Sequence, residues 1–357
     1  MLPFRPIRSA LRVLRRCLAP CLTATICLLA ATRAHLAAQR WSVRMVKVAQ
    51  IGVEDGAPER VFGVIQDVAV DRAGRIYVLD ALARSIRVFT RDGRYLSSIG
   101  RMGRGPGEFF VPVAMAVDPD DRLYVLDQGN ARVDVFALSR GGRRAYAASF
   151  PVGFQPYDLC AQGGRIYVLG ANRGRVVNAY TPEGRWLGAF GAAPGGRDPL
   201  LIATLNGGAL ECTGGTVLFL PRLSGEVRAY APADGHLAWS APIPGYNPVR
   251  LNRNGNGSIT LRPGRNRTHD LASAAVDVGR GFTLVQVGSL VDRANNGTEF
   301  REVRSYVASP RNRLLTLPGP IPRVVAARDG YAVAVRSDPF PSLTIYSIRT
   351  WEEGATR

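Results

Sequence analysis

The sequence predicts an all-β chain: a six-bladed β-propeller of four-stranded antiparallel blades, closed by an N-terminal strand. Three observations predict it. One pattern is written twice between Asp67 and Gly142, with its landmarks 47 residues apart: Asp71 recurs as Asp118, Tyr77 as Tyr124, Asp80 as Asp127 and Phe89 as Phe136. A fixed period of this size marks a repeat architecture. Within each copy, apolar residues alternate or run in fours between Asp-Gly, Ala-Gly and Pro-Asp turns, which is strand chemistry without helical spacing. Finally, the last unit is one strand short, while one strand is left over at the start.

The chain opens with a segment unlike the rest. Residues 1–38 hold six arginines and no acid, and residues 17–31, CLAPCLTATICLLAA, are uncharged and mostly apolar. A basic stretch, an apolar run and small residues near Ala38 make an export signal with cleavage there. The apolar run is short for a membrane span, which needs about 20 residues. Residues 1–38 are therefore read as a signal peptide, with an uncleaved anchor over 17–31 as the alternative. The membrane is a partner only in that second case. Residues 39–357 are read as a single propeller domain. The protein is expected outside the cytoplasm, periplasmic or extracellular.

The strand left over is Val43–Gly52, within WSVRMVKVAQIGV. Blade one follows as VAVD, RIYVLD, SIRVFT and YLSSIG. Blade two runs over Ala114–Gly142. Blade three spans Tyr157–Gly191, where Arg165-Ile-Tyr-Val-Leu169 repeats Arg75-Ile-Tyr-Val-Leu79 and Gly170 replaces the terminal Asp. Blade four covers Ala209–Ile243. A polar Asn/Arg/Gly-rich insertion at 247–268 precedes blade five, and connections this long are functional or disordered. Blade five resumes at Ala274–Val287 and takes EVRSYVAS and RLLTLPG as outer strands. Blade six, Val324–Arg349, supplies three strands. Pairing Val43–Gly52 with it closes the ring and removes an exposed edge.

The run Gly100–Phe136, GRMGRGPGEFFVPVAMAVDPDDRLYVLDQGNARVDVF, resembles an NHL repeat. It has the glycine-rich loop ending in Gly-Glu-Phe, the Asp-x-x-x-x-Leu-Tyr-Val-x-Asp core, Asn-x-Arg and a Val-x-Val-Phe strand. NHL repeats and the related TolB-like propellers are six-bladed. The resemblance implies a structural role for Asp80 and Asp127, pairing with the Arg of Asn-x-Arg and holding the blade turn. Asn130 and Arg132 fit that pattern, whereas blade one has Ala83 and Ser85 there.

Four residues of the glycine-rich loop are the candidate ligand site: Arg101, Arg104, Gly105 and Glu108. Successive glycine amides form anion nests, and the two arginines stand beside them. The loop lacks Gly-Lys-Ser/Thr before a helix, so it is no P-loop. As an interblade connection it is placed at the mouth of the central channel.

The formal charge is +18, and Lys47 is the only lysine. The arginines are scattered rather than run together, which reads as a solvated surface. With no Cys-x-x-Cys pair, a thiolate zinc centre is unsupported. In the body, Cys160 and Cys212 are expected to be unpaired, because aligning blades three and four sets them one residue out of register and neighbouring strand positions point to opposite faces. His236 and His269 cannot build a His-rich metal centre, and no serine elbow accompanies His269-Asp270. No catalytic residue and no cofactor is assigned. Similarity to lactonase-like and streptogramin-lyase-like propellers would imply a divalent cation in the central channel, with the metal ligands unknown. Asn256, Asn266 and Asn296 head glycosylation sequons by form.

The leading functional expectation is an exported, non-catalytic propeller that recognises a protein, peptide or carbohydrate on the loop face around its channel. The alternative is a metal-dependent lactonase- or lyase-like enzyme with its site at the channel mouth. Nucleic acid is a less favoured partner, since the export signal argues against it.

Overall fold

The computed structural model describes residues 40–138, 144–195, 198–262, 268–292, 298–308 and 314–353. The expected signal segment and the sequons at Asn266 and Asn296 lie outside the described residues. The chain divides into two compact units. Residues 44–349 form the propeller. The other unit takes in residues 1–43 and 350–357, of which only the far ends of the first and last strands are described.

The first strand, β1 (Arg40–Ile51), is followed by blade one: β2 (Ile65–Val70), β3 (Ile76–Asp80), β4 (Ser85–Phe89) and β5 (Tyr95–Ile99). Blade two is β6 (Pro112–Val117), β7 (Leu123–Asp127), β8 (Arg132–Leu138) and β9 (Arg144–Pro151). Blade three is β10 (Asp158–Gln162), β11 (Arg165–Asn172), β12 (Arg175–Tyr180) and β13 (Trp186–Ala192). A short helix, α1 (Pro199–Leu205), precedes blade four: β14 (Gly208–Thr213), β15 (Thr216–Pro221), β16 (Glu226–Tyr230) and β17 (Leu237–Pro242). A separate hairpin, β18 (Arg250–Arg253) and β19 (Ile259–Arg262), leads to blade five: β20 (Thr268–Gly279), β21 (Phe282–Asp292), β22 (Thr298–Ala308) and β23 (Leu314–Thr316). Blade six is β24 (Val324–Arg328), β25 (Tyr331–Arg336) and β26 (Ser342–Glu353). Its sheet order is β1-β26-β25-β24, so the first strand completes the last blade. The fold is the all-β six-bladed propeller that the repeat predicts.

The second strand of each repeat is the most buried because both its faces are covered by neighbouring blades. All five residues of β3 and of β7 are buried. Five seams between blades each carry a hydrophobic cluster: six–one around Leu343 and Ile76, one–two around Leu79 and Phe109, two–three around Tyr124 and Ile166, three–four around Tyr167 and Phe219, and four–five around Leu220 and Val285. Full burial of each such side chain contributes roughly 1.5–3 kcal/mol.

The insertion is built in part as the hairpin β18–β19, not simply a polar loop. Its strands are exposed or half-exposed throughout. Arg253 reaches Asp198 at 3.0 Å. Asp198 also caps α1, its carboxylate accepting from the Leu200 amide at 3.0 Å. An Asp N-cap followed by Pro at the first helical position explains why a helix starts there.

Cys160 and Cys212 are bonded to each other, with Cα atoms 5.6 Å apart. The expectation of two unpaired cysteines is therefore overturned. The register offset is the expected one: Cys160 faces Tyr167, whereas Cys212 faces Val217, the counterpart of Ile166. The rule for side-chain direction holds within one sheet, but these strands belong to facing sheets. A side chain that leaves blade three toward blade four must meet one that leaves blade four backwards, and that requires an odd offset.

Candidate functional site

The conserved geometry of the first two repeats begins with their buried aspartates. Asp127, fully buried, accepts from the amides of Phe110 at 2.7 Å, Val111 at 2.9 Å, Gly129 at 3.0 Å and Asn130 at 3.1 Å. Asp80 does the same for Gly63, Val64, Leu82 and Ala83 at 2.9–3.2 Å. Each carboxylate thus ties the loop entering its blade to the turn between that blade's second and third strands. The expected Asp–Arg pairing holds only in blade one, where Arg87 takes the role at 3.1 Å from Asp80. In blade two Arg132 pairs with Asp134 at 3.0 Å, not with Asp127. In blade three, where Gly170 replaces the aspartate, Asn178 donates to the Gly170 carbonyl at 2.9 Å. Blade five uses Asp270, which accepts from the Asn247 amide at 2.6 Å and from Ser289 at 2.6 Å and pairs with Arg304.

The glycine-rich loop sits on this support. Arg132 donates to the carbonyls of Arg104 at 3.0 Å, Gly105 at 2.6 Å and Glu108 at 3.0 Å. Asn130 donates to the carbonyls of Gly103 and Glu108 and to Asp127. Phe109 anchors the loop in the core, fully buried and 5.9 Å from Phe136 between ring centroids. Glu108 accepts from the Gly105 amide at 2.9 Å and pairs with Arg101 at 2.8 Å. The Gly105 amide, then Arg101, holds this carboxyl below its usual range. A side chain at Gly103, where φ is +157°, would collide with Glu108.

Two of the four candidate residues are therefore committed within the loop. Glu108 is a latch, and the Gly105 amide that would cradle an anion already donates to it. Arg101 shares Glu108 but keeps its side chain 82% exposed. Arg104 projects outward, its guanidinium 4.2 Å from the Phe110 ring centroid, with Arg84 on the same ring at 5.3 Å. Met102 (66%) and Val111 (41%) are exposed beside it in the chain, and Leu82 (72%) and Val64 (43%) are exposed in the blade-one turn that carries Arg84 and in the loop tied to it through Asp80. Phe110 and its neighbours are not legible as a site from the glycine pattern, because that pattern sets only the loop's backbone. None of its residues lines the cavity of the central channel at the far ends of the first strands.

That cavity, of about 440 Å³, is walled by the first strands of all six blades. Glu211 and Asp277 line it. Nearer the other end of the same strands stand Asp67 and Asp158. Each bonds to the neighbouring blade: the Met115 amide donates to Asp67 at 2.6 Å, and the Leu210 amide to Asp158 at 2.7 Å. Burial, reinforced by Asp158, pushes Asp67 up to about 8. Burial lifts Asp158 to about 7. Glu211 is raised well above its ordinary value by burial and then by Asp277. Despite this convergence, no group of three or more His, Cys, Asp or Glu among the described residues is placed to hold a metal ion. His236 lies far exposed, 2.7 Å from Asp234.

A family model described as a 6-bladed beta-propeller matches residues 59–175. No curated protein sequence matches the chain. Among solved structures, the chain is similar to a protein of Bacteroides fragilis NCTC 9343 named as a candidate exported protein, at 11% identity and a TM-score of 0.57, covering 87% of this chain and 95% of that one. It is also similar to the WD40 repeats of RRP9, at 13% identity and a TM-score of 0.51, covering 86% and 100%. At such identities the likeness is one of fold.

Proposed function

We propose that this chain is an exported binding propeller that takes an acidic protein or peptide segment on the loop face over blades one and two. The observation that carries this reading is the Arg84–Phe110–Arg104 stack, carried on turns and loops that also leave Leu82, Met102, Val64 and Val111 exposed. Exposed apolar groups in one patch mark interaction surfaces. Arginine, aromatic and methionine side chains are the enriched interface types. The rigid mounting through Asp80, Asp127 and Arg132 keeps the ordering penalty of binding small. The arrangement asks for a ligand with carboxylates for the arginines and apolar side chains between them.

Export is supported by the basic–apolar segment at residues 1–38 and by the Cys160–Cys212 bridge, since disulfides persist in oxidising compartments. On this reading residues 39–357 are the mature domain.

Fluorescence anisotropy with a library of extended peptides tests the surface. Acidic–apolar peptides should bind, weaken as salt rises, and lose affinity by about tenfold or more with Arg104→Glu. Equal binding of neutral peptides, or an unaffected Arg104→Glu variant, would refute it.

The four carboxyls carried by the first strands, Asp67, Asp158, Glu211 and Asp277, favour a second reading, a metal-dependent lyase-like enzyme. Its weakness is that the carboxyls do not gather into a ligand set. Calcium or manganese titration followed by calorimetry distinguishes it from the first reading.

A further inference from the structure

The seam between blades five and six differs from the other five. Its centre is polar: buried Gln286 donates to Ser305 at 3.0 Å and to the Pro322 carbonyl at 2.9 Å, and accepts from the Val324 amide at 2.8 Å. Outside that contact the two blades part around two cavities, of about 820 and 900 Å³. Val303, Pro322 and Tyr346 line both, so the cavities adjoin. The gap has a cause in strand length. β23 is three residues long and pairs with Tyr306–Ala308 of β22, and the Leu317 amide adds one bond to the Ser305 carbonyl. Val303 and Arg304 consequently have no outer strand beside them among the described residues, and the cleft stays open.

The chemistry of the opening is specific. The 820 Å³ cavity is lined by three cations, Lys47, Arg323 and Arg336, against one acid, Asp338. Lys47 donates to Gln50 at 2.8 Å, and Gln50 lines the same wall. Arg323 is fixed through its Nε, which donates to Ser273 at 2.9 Å. Burial, opposed by Asp67 and aided by Arg222, weakens its hold on its proton. A guanidinium taken out of water gains more from an anion than one on the surface does. Tyr346 offers a ring, and Ser342 and Thr344 offer hydroxyls. A concave site with a few convergent polar groups on an apolar floor is the usual form of a small-molecule pocket, and its volume falls in the usual range.

We propose that the cleft between blades five and six binds a small hydroxylated organic anion, of the sugar-acid class. The cations take its carboxylate, the hydroxyl-bearing residues of β26 take its hydroxyls, and Tyr346 packs on its less polar face. This site is separate from the peptide surface over blades one and two, so either can fail alone.

Calorimetry and thermal shift on the full chain test it with four probes: galacturonate, methyl galactoside, glucose 6-phosphate and inorganic phosphate. Galacturonate should bind and raise the melting temperature, with methyl galactoside at least about tenfold weaker. Lys47→Gln with Arg336→Gln, both at exposed positions, should weaken galacturonate by about tenfold or more while Arg250→Gln on the distant hairpin does not. Binding of glucose 6-phosphate as tight as galacturonate identifies the anionic group as phosphate or carboxylate alike and leaves the class intact. The proposal is overturned if galacturonate fails to bind, if methyl galactoside binds equally, if inorganic phosphate alone binds, or if the double variant binds unchanged. Should the double variant not fold, Arg336→Gln alone gives the same reading.

Discussion

Cys160 and Cys212 join blades three and four from positions one residue out of step in their strands, and the bond exists because of that offset. The same odd offset recurs where blades meet without a bond. Ala69 packs in one cluster with Met115, and Ala114 with Leu159. The bridge closes a loop across a sequence separation of 52 residues. Reduction should lower stability by about 2–4 kcal/mol. Thiol labelling of denatured, unreduced protein should find neither cysteine free, and Cys160→Ser with Cys212→Ser should melt well below the parent. Two labelled body cysteines in protein from an oxidising host would contradict the bond.

Asp127 offers a sharper test of what mounts the loop face. Its carboxylate satisfies four amides and Asn130 in a buried place. Asp127→Ala leaves those donors without their acceptor, and each buried unsatisfied group costs about 1–3 kcal/mol. A loss of at least about 3 kcal/mol is expected in denaturant unfolding. Proteolysis should become faster within residues 100–111, where the loop is released. Gly170 already lacks the carboxylate, so Gly170→Ala should not mimic this loss through hydrogen bonding. It should destabilise instead by collision with Phe154 and the Gln155 carbonyl.

How far the sequence spoke depends on what repeats. Asp80 and Asp127 were legible because the 47-residue period marks them, and the closing strand because blade six ends one strand short. The partners of Asp127 were not legible, since amides have no signature in a side-chain pattern. Asp270 was hidden because blade five reaches the same function from a different strand position. The open seam was hidden by RLLTLPG, which reads as a full outer strand, yet among the described residues the ladder covers Leu314–Thr316, extended by the Leu317 amide to the Ser305 carbonyl. Lys47 is far in sequence from Arg323 and Arg336 and meets them only because the first strand closes the last blade.

Arg144 ties blade two to blade one at the opposite end of the ring. Its side chain is 1% exposed and stands 3.5 Å from Asp71, with Nε donating to the Tyr77 hydroxyl at 2.8 Å. Asp71 also pairs with Arg75 at 2.6 Å. Arg144→Met keeps much of the volume and removes the charge, and Arg75 still neutralises Asp71. The expected loss is therefore below the roughly 3–5 kcal/mol of a fully broken buried pair. Urea unfolding checks it, and a variant as stable as the parent would show that the Arg144 contact contributes nothing net.

The buried carboxyls predict an unusual pH dependence. Asp67, Asp158 and Asp134 are raised in the folded state, to about 8, 7 and 6, from an ordinary 3.8, chiefly by burial. Between those limits the folded chain holds protons that the unfolded chain has released. Stability must then fall as pH rises from about 4 to about 8, and Glu211, also raised by burial, acts in the same sense. Glu108, Asp92 and Asp234 are shifted downward and act in the opposite sense, but only at pH values below their ordinary 3.8–4.5. The melting temperature should accordingly be higher at pH 5.5 than at pH 8.5. Asp67→Asn with Asp158→Asn removes two of the titrating groups, so its melting temperature should change less between the same two pH values. A parent protein equally stable at both, with a variant that behaves identically, would mean these carboxyls stay ionised in the folded ring and that their hydrogen bonds outweigh their burial.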